Sequence, residues 1–160
     1  MSKAKVVVVG PCEAGKTVLC NFLADATEFS GGEYHPTQAV RIVEFETNAP
    51  DKSRSALDVE LWDCSGDRRF ESCWPAMIRD ASGAIFVYNP DMPNHDKELD
   101  TWLSFIVNSS KLKPKRCLCV AMLKPGADHQ VRSKPRESAL CSSWCTMNLA
   151  LSPLPAPLGY

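Results

Sequence analysis

Gly10-Pro11-Cys12-Glu13-Ala14-Gly15-Lys16-Thr17 is the stretch on which the fold turns, because it fits the spacing G-x-x-x-x-G-K-[ST]. Before it, residues 5–9 form a β-branched run that reads as a buried parallel strand. After it, from Gly15 to Ala26, Val18, Leu19, Phe22, Leu23 and Ala26 recur at helical spacing and predict one apolar face. Strand, glycine-containing loop and amphipathic helix make half a βαβ unit, the setting in which this spacing has chemical meaning. Gly15 lets the backbone approach a phosphate chain, and the N–H groups of the loop and helix start are aimed at an anion. Lys16 is expected to bridge β- and γ-phosphates, and Thr17 to offer its hydroxyl to Mg²⁺. Gly10, Pro11, Cys12, Glu13 and Ala14 complete the phosphate-binding loop. By itself the motif does not separate GTPases from ATPases or kinases.

The rest of the chain predicts how that unit is extended. Segments 40–47 and 57–62 are strand candidates; Leu57, Val59 and Leu61 alternate with polar residues, and residues 48–56 join the two as a long-looped hairpin. A short helix is predicted near 74–80, a strand over 84–88, and a helix over 96–107 with Leu99, Trp102, Leu103 and Ile106 inward. Segment 117–122 reads as another buried strand. Beyond Lys124, prolines at 125, 135, 153, 155 and 157 break up the pattern. One short packed element of open type is expected within 140–151, and residues 152–160 read as loosely attached. Strands alternating with helices predict an α/β fold, a mostly parallel sheet with one antiparallel hairpin and helices on both faces.

Composition narrows the function classes. The 160 residues are enough for one domain with a core, and 44% hydrophobic with 23% charged residues is ordinary for a globular chain. With a net charge of -1 and the Lys and Arg residues read as scattered, no footprint for nucleic acid or an anionic membrane is expected. No apolar run approaches bilayer length, Ser2 is not a myristoylation glycine, and Leu158-Gly159-Tyr160 offers no prenylation cysteine, so no direct membrane anchor is expected. The eight cysteines contain no C-x-x-C pair and His35, His95 and His129 stand alone, which predicts structural free thiols over a zinc or disulfide framework.

Two further segments add to the phosphate loop. Asp63-Cys64-Ser65-Gly66 ends the 57–62 strand, where the carboxylate can hold a metal's water shell and Gly66 can offer its N–H to a γ-phosphate. Pro36-Thr37 lies in the loop before the preceding strand, where the Thr37 hydroxyl can complete Mg²⁺ coordination. A D-x-x-G turn or a loop threonine is weak alone; in this order after a phosphate loop the set is specific.

The series Gly10…Gly15-Lys16-Thr17, Tyr34-His35-Pro36-Thr37 and Trp62-Asp63-Cys64-Ser65-Gly66 resembles the Ras/Rab/Arf small GTPase family. Further stretches narrow the likeness to the Rab-like branch that serves intraflagellar transport. They are Lys3-Ala4-Lys5, Gly10-Pro11-Cys12-Glu13, Tyr34-His35-Pro36-Thr37-Gln38-Ala39-Val40-Arg41, Phe70-Glu71-Ser72-Cys73-Trp74-Pro75 and Lys124-Pro125-Gly126. The resemblance spans residues 1–126 and implies a small GTPase-like domain of the P-loop NTPase fold there, with 127–160 a divergent, partly disordered tail. It also implies GTP or GDP with Mg²⁺ on Thr17, Thr37 and Asp63, coiled-coil subunits of intraflagellar transport complex B as partners, and a place in cytoplasm and cilium. The ordered switch surface, with Phe70 and Trp74, is expected either to dock on such a partner or to pack beneath the second switch.

The pattern also breaks. Asp67 stands where the family has a glutamine that orients the attacking water, and a carboxylate cannot donate that hydrogen bond. Cys12 can crowd the γ-phosphate or be a small loop residue, and Arg68 and Arg69 are candidate sources of positive charge. Where the family's N-K-x-D reads guanine, the chain has Leu123-Lys124-Pro125-Gly126: Lys124 can still lie against a base, while the aspartate is lost. Ser138-Ala139-Leu140 is a faint echo of the third base-binding element. The remaining chain is too short for the family's last strand and closing helix, which predicts an incomplete C-terminal strand and helix and an uncovered sheet edge beside segment 117–122. These readings converge on a nucleotide-stabilised binding module with slow hydrolysis. An active GTP/GDP switch is the alternative, and a small nucleoside kinase is disfavoured.

Overall fold

A computed structural model describes residues 2–25, 35–48, 56–123 and, for the backbone alone, 145–150. β1 (Ser2–Val9) leads through the phosphate loop into α1 (Lys16–Leu23), followed by the hairpin of β2 (Val40–Thr47) and β3 (Leu57–Cys64). A 3₁₀ segment, Arg68–Cys73, runs into α2 (Trp74–Ile78), then β4 (Gly83–Tyr88), α3 (His95–Ser109), β5 (Cys117–Leu123) and β6 (Cys145–Ala150).

The six strands lie in the order β2-β3-β1-β4-β5-β6. β1 is parallel to β3 and β4, β4 to β5, and β5 to β6; only β2 and β3 are antiparallel among the described residues. From β1 the chain builds one half of the sheet and then the other, so its loops diverge at the carboxyl end of β1. In open α/β sheets that crevice receives ligands.

Alternation along the strands divides the core into two layers. Val7 and Val9 face Trp74, Met77, Ile78, Leu99, Trp102, Leu103 and Ile106 of α2 and α3. Val8, Leu61, Val87 and Val120 face Ala14, Leu19 and Cys20 at the phosphate loop and α1. α3 follows the predicted pattern: Leu99, Trp102, Leu103 and Ile106 are all buried. Asp96 and Glu98 place negative charge in its first turn, where the helix dipole favours it.

Two expectations are corrected. On α1 the buried positions are Lys16, Leu19 and Cys20, whereas Val18, Phe22 and Leu23 are 40%, 62% and 41% exposed. The helix rests on the sheet by one narrow stripe, and no described residue covers the adjacent face; Ala26 lies outside the described residues. The edge beside β5 is not open either. β6 pairs with it in parallel from Leu118↔Cys145 to Leu123↔Ala150. The intervening chain, 124–144, exceeds the dozen or so residues a parallel crossover needs, so a short apolar segment beyond it can reach the edge. Residues 151–160, where the closing helix expected to be incomplete would follow, lie outside the described residues.

Candidate functional site

Two glycines hold the phosphate loop at the end of β1. A Cβ on Gly10, whose φ is +145°, would lie 2.0 Å from the Val87 carbonyl oxygen, so the loop can leave β1 beside β4 only without a side chain. A Cβ on Gly66 would lie 2.4 Å from the Cys12 nitrogen, so the turn after β3 packs directly on the loop's backbone.

Inside this wrap Lys16 is 7% exposed. Its ammonium donates to the carbonyls of Gly10 at 3.0 Å and Pro11 at 2.5 Å. Burial pulls its pKa below the ordinary lysine value, with the Asp63 carboxylate opposing the shift. Among the described residues this buried cation is hydrogen-bonded only by neutral carbonyls, an arrangement that an anion would complete.

The cation ligands expected from sequence also converge. The Thr17 hydroxyl donates to Asp63 Oδ2 at 2.7 Å and lies 3.1 Å from the Thr37 hydroxyl. Asp63 is fully buried, and its Oδ1 has no hydrogen-bond partner among the described residues. Burial pushes its carboxyl above the ordinary range, against the Thr17 bond and the Lys16 charge. Arg41 approaches it at 3.8 Å from the hairpin. Two hydroxyls beside an orphaned buried carboxylate oxygen suit a hard divalent cation, with Thr17 and Thr37 as ligands and Asp63 holding its water shell. The Ser65 amide donates to the Ala39 carbonyl at 2.8 Å, tying the two candidate switch segments together. No local sequence signal reveals that backbone bond.

Residues 5–124 match the Roc, or Ras of Complex, domain of DAPkinase. The intraflagellar transport protein 22 homolog of Xenopus tropicalis is 53% identical over 127 residues, covering 79% of this chain and 68% of that protein. The chain belongs to the intraflagellar transport protein 22 family. The human homolog of that name is 47% identical over 129 residues, covering 79% of this chain and 69% of its own length. Among solved structures, the GTP-bound crystal structure of T. brucei IFT22/74/81 aligns with a TM-score of 0.77 at 27% identity, covering 94% of this chain and 84% of that chain. The small-GTPase fold expected from the motifs is therefore the fold of this member of the intraflagellar transport protein 22 family.

Asp67 is occupied within its own turn. Its Oδ1 accepts from the Arg69 amide at 2.9 Å and its Oδ2 from the Arg69 side chain at 2.8 Å, capping the 3₁₀ segment. The Arg69 bonds hold its carboxyl below the ordinary aspartate value. The like charge expected to face a phosphate is thus paired with Arg69, while Arg68 pairs with Glu71 at 3.2 Å. Trp74 is 1% exposed and stacks on Trp102 with ring centroids 3.7 Å apart, so it belongs to the core beneath the second switch and is removed from the candidate docking surface. Phe70 is half-buried against the same cluster. Cys12 is an exposed thiol, whereas burial pushes Cys64 up to about 12, leaving that thiol unreactive. Lys124, Gly126, Tyr34 and the segment 138–140 lie outside the described residues.

His95 was not singled out by its sequence context, since nothing local marks a histidine at a helix start as buried. It is 4% exposed; its Nδ1 accepts from the Asn89 amide at 3.1 Å, and the ring also hydrogen-bonds the Cys12 backbone. Burial lowers its pKa, against the raising influence of Glu98 and the Cys12 bond. The unfolded chain therefore takes up this proton more readily than the folded one. The stabilisation is full above the unfolded value of about 6.5 and is lost as pH falls below it. The urea midpoint should drop between about pH 7 and pH 5, and His95→Gln should flatten part of that drop. Equal pH slopes in the two chains would remove His95 as the source.

Proposed function

We propose that the chain is a guanine-nucleotide-binding subunit of intraflagellar transport, holding GTP or GDP with Mg²⁺ and acting as a nucleotide-stabilised binding module. The observation that carries this reading is the buried Lys16 ammonium, held by two carbonyls, beside the Thr17–Thr37–Asp63 cluster. The names of the similar proteins, homologs of intraflagellar transport protein 22, and the GTP-bound state of the T. brucei neighbour support the guanine and ciliary parts.

In the proposed complex, loop N–H groups and Lys16 hold the phosphates, and Thr17, Thr37 and Asp63 hold Mg²⁺. Bound Mg²⁺ would neutralise charge on the phosphates. The Ser65–Ala39 bond makes the loops bearing Gly66 and Thr37 order together, and the ordered surface meets coiled-coil subunits of complex B, in cytoplasm and cilium. Residues 1–126 form the nucleotide-binding unit in this reading, with 127–160 a divergent extension whose segment 145–150 completes the sheet.

Hydrolysis is proposed to be slow because Asp67 cannot give the hydrogen bond of a glutamine amide. Single-turnover GTP cleavage should run at or below about 10⁻⁴ s⁻¹ and rise about tenfold or more in Asp67→Gln. Rapid cleavage by the unsubstituted chain would favour the second reading, an active GTP/GDP switch. One observation favours that alternative: Arg69 neutralises Asp67, removing part of the charge that would oppose the reaction.

The deciding experiment for the binding reading is chromatography of nucleotide released by denaturing freshly purified protein. Guanine nucleotide is the expected result. Adenine nucleotide, or equal affinity for ATP and GTP by calorimetry, would overturn the guanine assignment.

A further inference from the structure

At the end of the sheet opposite the phosphate loop, the approaches to β4 and β5 and the end of α3 enclose a cleft of about 550 Å³. Its rim carries Arg79, Lys111, Lys113, Lys115 and Arg116, with Asp80 the single acidic residue. Ile78 and Leu112 contribute an apolar floor, both packed in the α2–α3 core layer. None of these five cations forms an ion pair among the described residues; Arg116 donates to the Ser82 carbonyl at 3.3 Å. In a chain with net charge -1 this is a local concentration of positive charge. Residues 111–116 supply four of the cations from one short segment, and the turn after α2 brings Arg79 to meet them.

We propose that this cleft is a docking site for a carboxylate-rich peptide segment of a partner protein. Charge complementarity selects an acidic ligand, and the apolar floor selects one with a hydrophobic side chain between its carboxylates. A membrane or nucleic acid presents an extended anionic surface, which a molecule negative overall repels outside the cleft; a short peptide meets only the five cations. The parallel strands separate this cleft from the nucleotide loops, which lie at the strands' carboxyl ends, so both sites can be filled together.

The test uses the full chain with its nucleotide and a fluorescein-labelled peptide of alternating glutamate and leucine, followed by anisotropy. Saturable binding is expected, weakening as salt rises from low to physiological strength. Lys113→Glu with Lys115→Glu should weaken it about tenfold or more, while nucleotide retention and thermal unfolding stay unchanged. A charge-matched glutamate–serine peptide should bind more weakly. No binding of the glutamate–leucine peptide, or equal binding by the doubly substituted chain, overturns the proposal. So does preferential binding to phosphatidylserine vesicles or to a single-stranded oligonucleotide. Because retained nucleotide is read separately, failure here is distinguishable from failure of the nucleotide site.

Discussion

Lys16→Ala should purify as a folded chain that has lost its nucleotide, with triphosphate affinity reduced about a hundredfold or more. Lys16 is 7% exposed, and among the described residues its ammonium donates only to the Gly10 and Pro11 carbonyls. Asp63 acts on it as a charge but forms no ion pair with it, so an anionic ligand would supply the missing contact. Truncating a buried charged partner of a bound group typically costs about 2–5 kcal/mol of binding. Stability without nucleotide should change much less, because the substitution also removes a desolvated charge whose pKa burial already lowers. Lys16→Arg should not rescue retention, since a planar guanidinium is too broad for a slot shaped around one nitrogen. Fluorescent-GDP dissociation and the nucleotide content of purified protein read both variants. Retention unchanged in Lys16→Ala would remove the phosphate cradle and leave only a fold.

Trp74→Ala should produce the largest loss of stability of any single substitution considered for this chain, about 3–5 kcal/mol. The indole is 1% exposed, stacks on Trp102 at 3.7 Å and 29°, and meets the edge of Phe105 at 5.2 Å. A domain of this size has only about 5–15 kcal/mol in total, so a melting point about 10 °C lower or more is expected. Trp74→Phe should be far milder, because it keeps a stacked ring and removes an indole N–H that has no hydrogen-bond partner among the described residues. If Trp74→Ala instead left the melting curve in place and abolished partner binding, Trp74 would return to the docking surface and its role beneath the switch would be wrong.

Much of this was readable from local patterns. The phosphate loop was legible because glycine, lysine and hydroxyl spacing is a chain-local requirement of backbone geometry. The inner face of α3 was legible because fifteen residues carry more than one full repeat of the helical period. The apolar face of α1 was misread: Val18, Phe22 and Leu23 share a periodic stripe, and periodicity cannot say whether anything lies over it. Four of the five cations around the second cleft, Lys111, Lys113, Lys115 and Arg116, fall within six residues and were wrongly read as scattered. Only the fold brings Arg79, separated from them by β4 and α3, to the same rim. Asp67 stood out in the sequence where the family has glutamine, but its pairing with Arg69 is a side-chain conformation that residue types alone leave open.

By itself, then, the sequence determined an α/β order, a phosphate loop between strand and helix, and the residue types able to hold a nucleotide and a divalent cation. Only the tertiary structure decided that Thr17, Thr37 and Asp63 meet within hydrogen-bond reach, that Trp74 is core, and that β6 closes the β5 edge. The physical reason is range. Backbone propensity and side-chain periodicity act over a few residues and are written in adjacent letters. Burial, charge pairing and strand order depend on segments tens of residues apart, and those fall into place only when the whole sheet has formed.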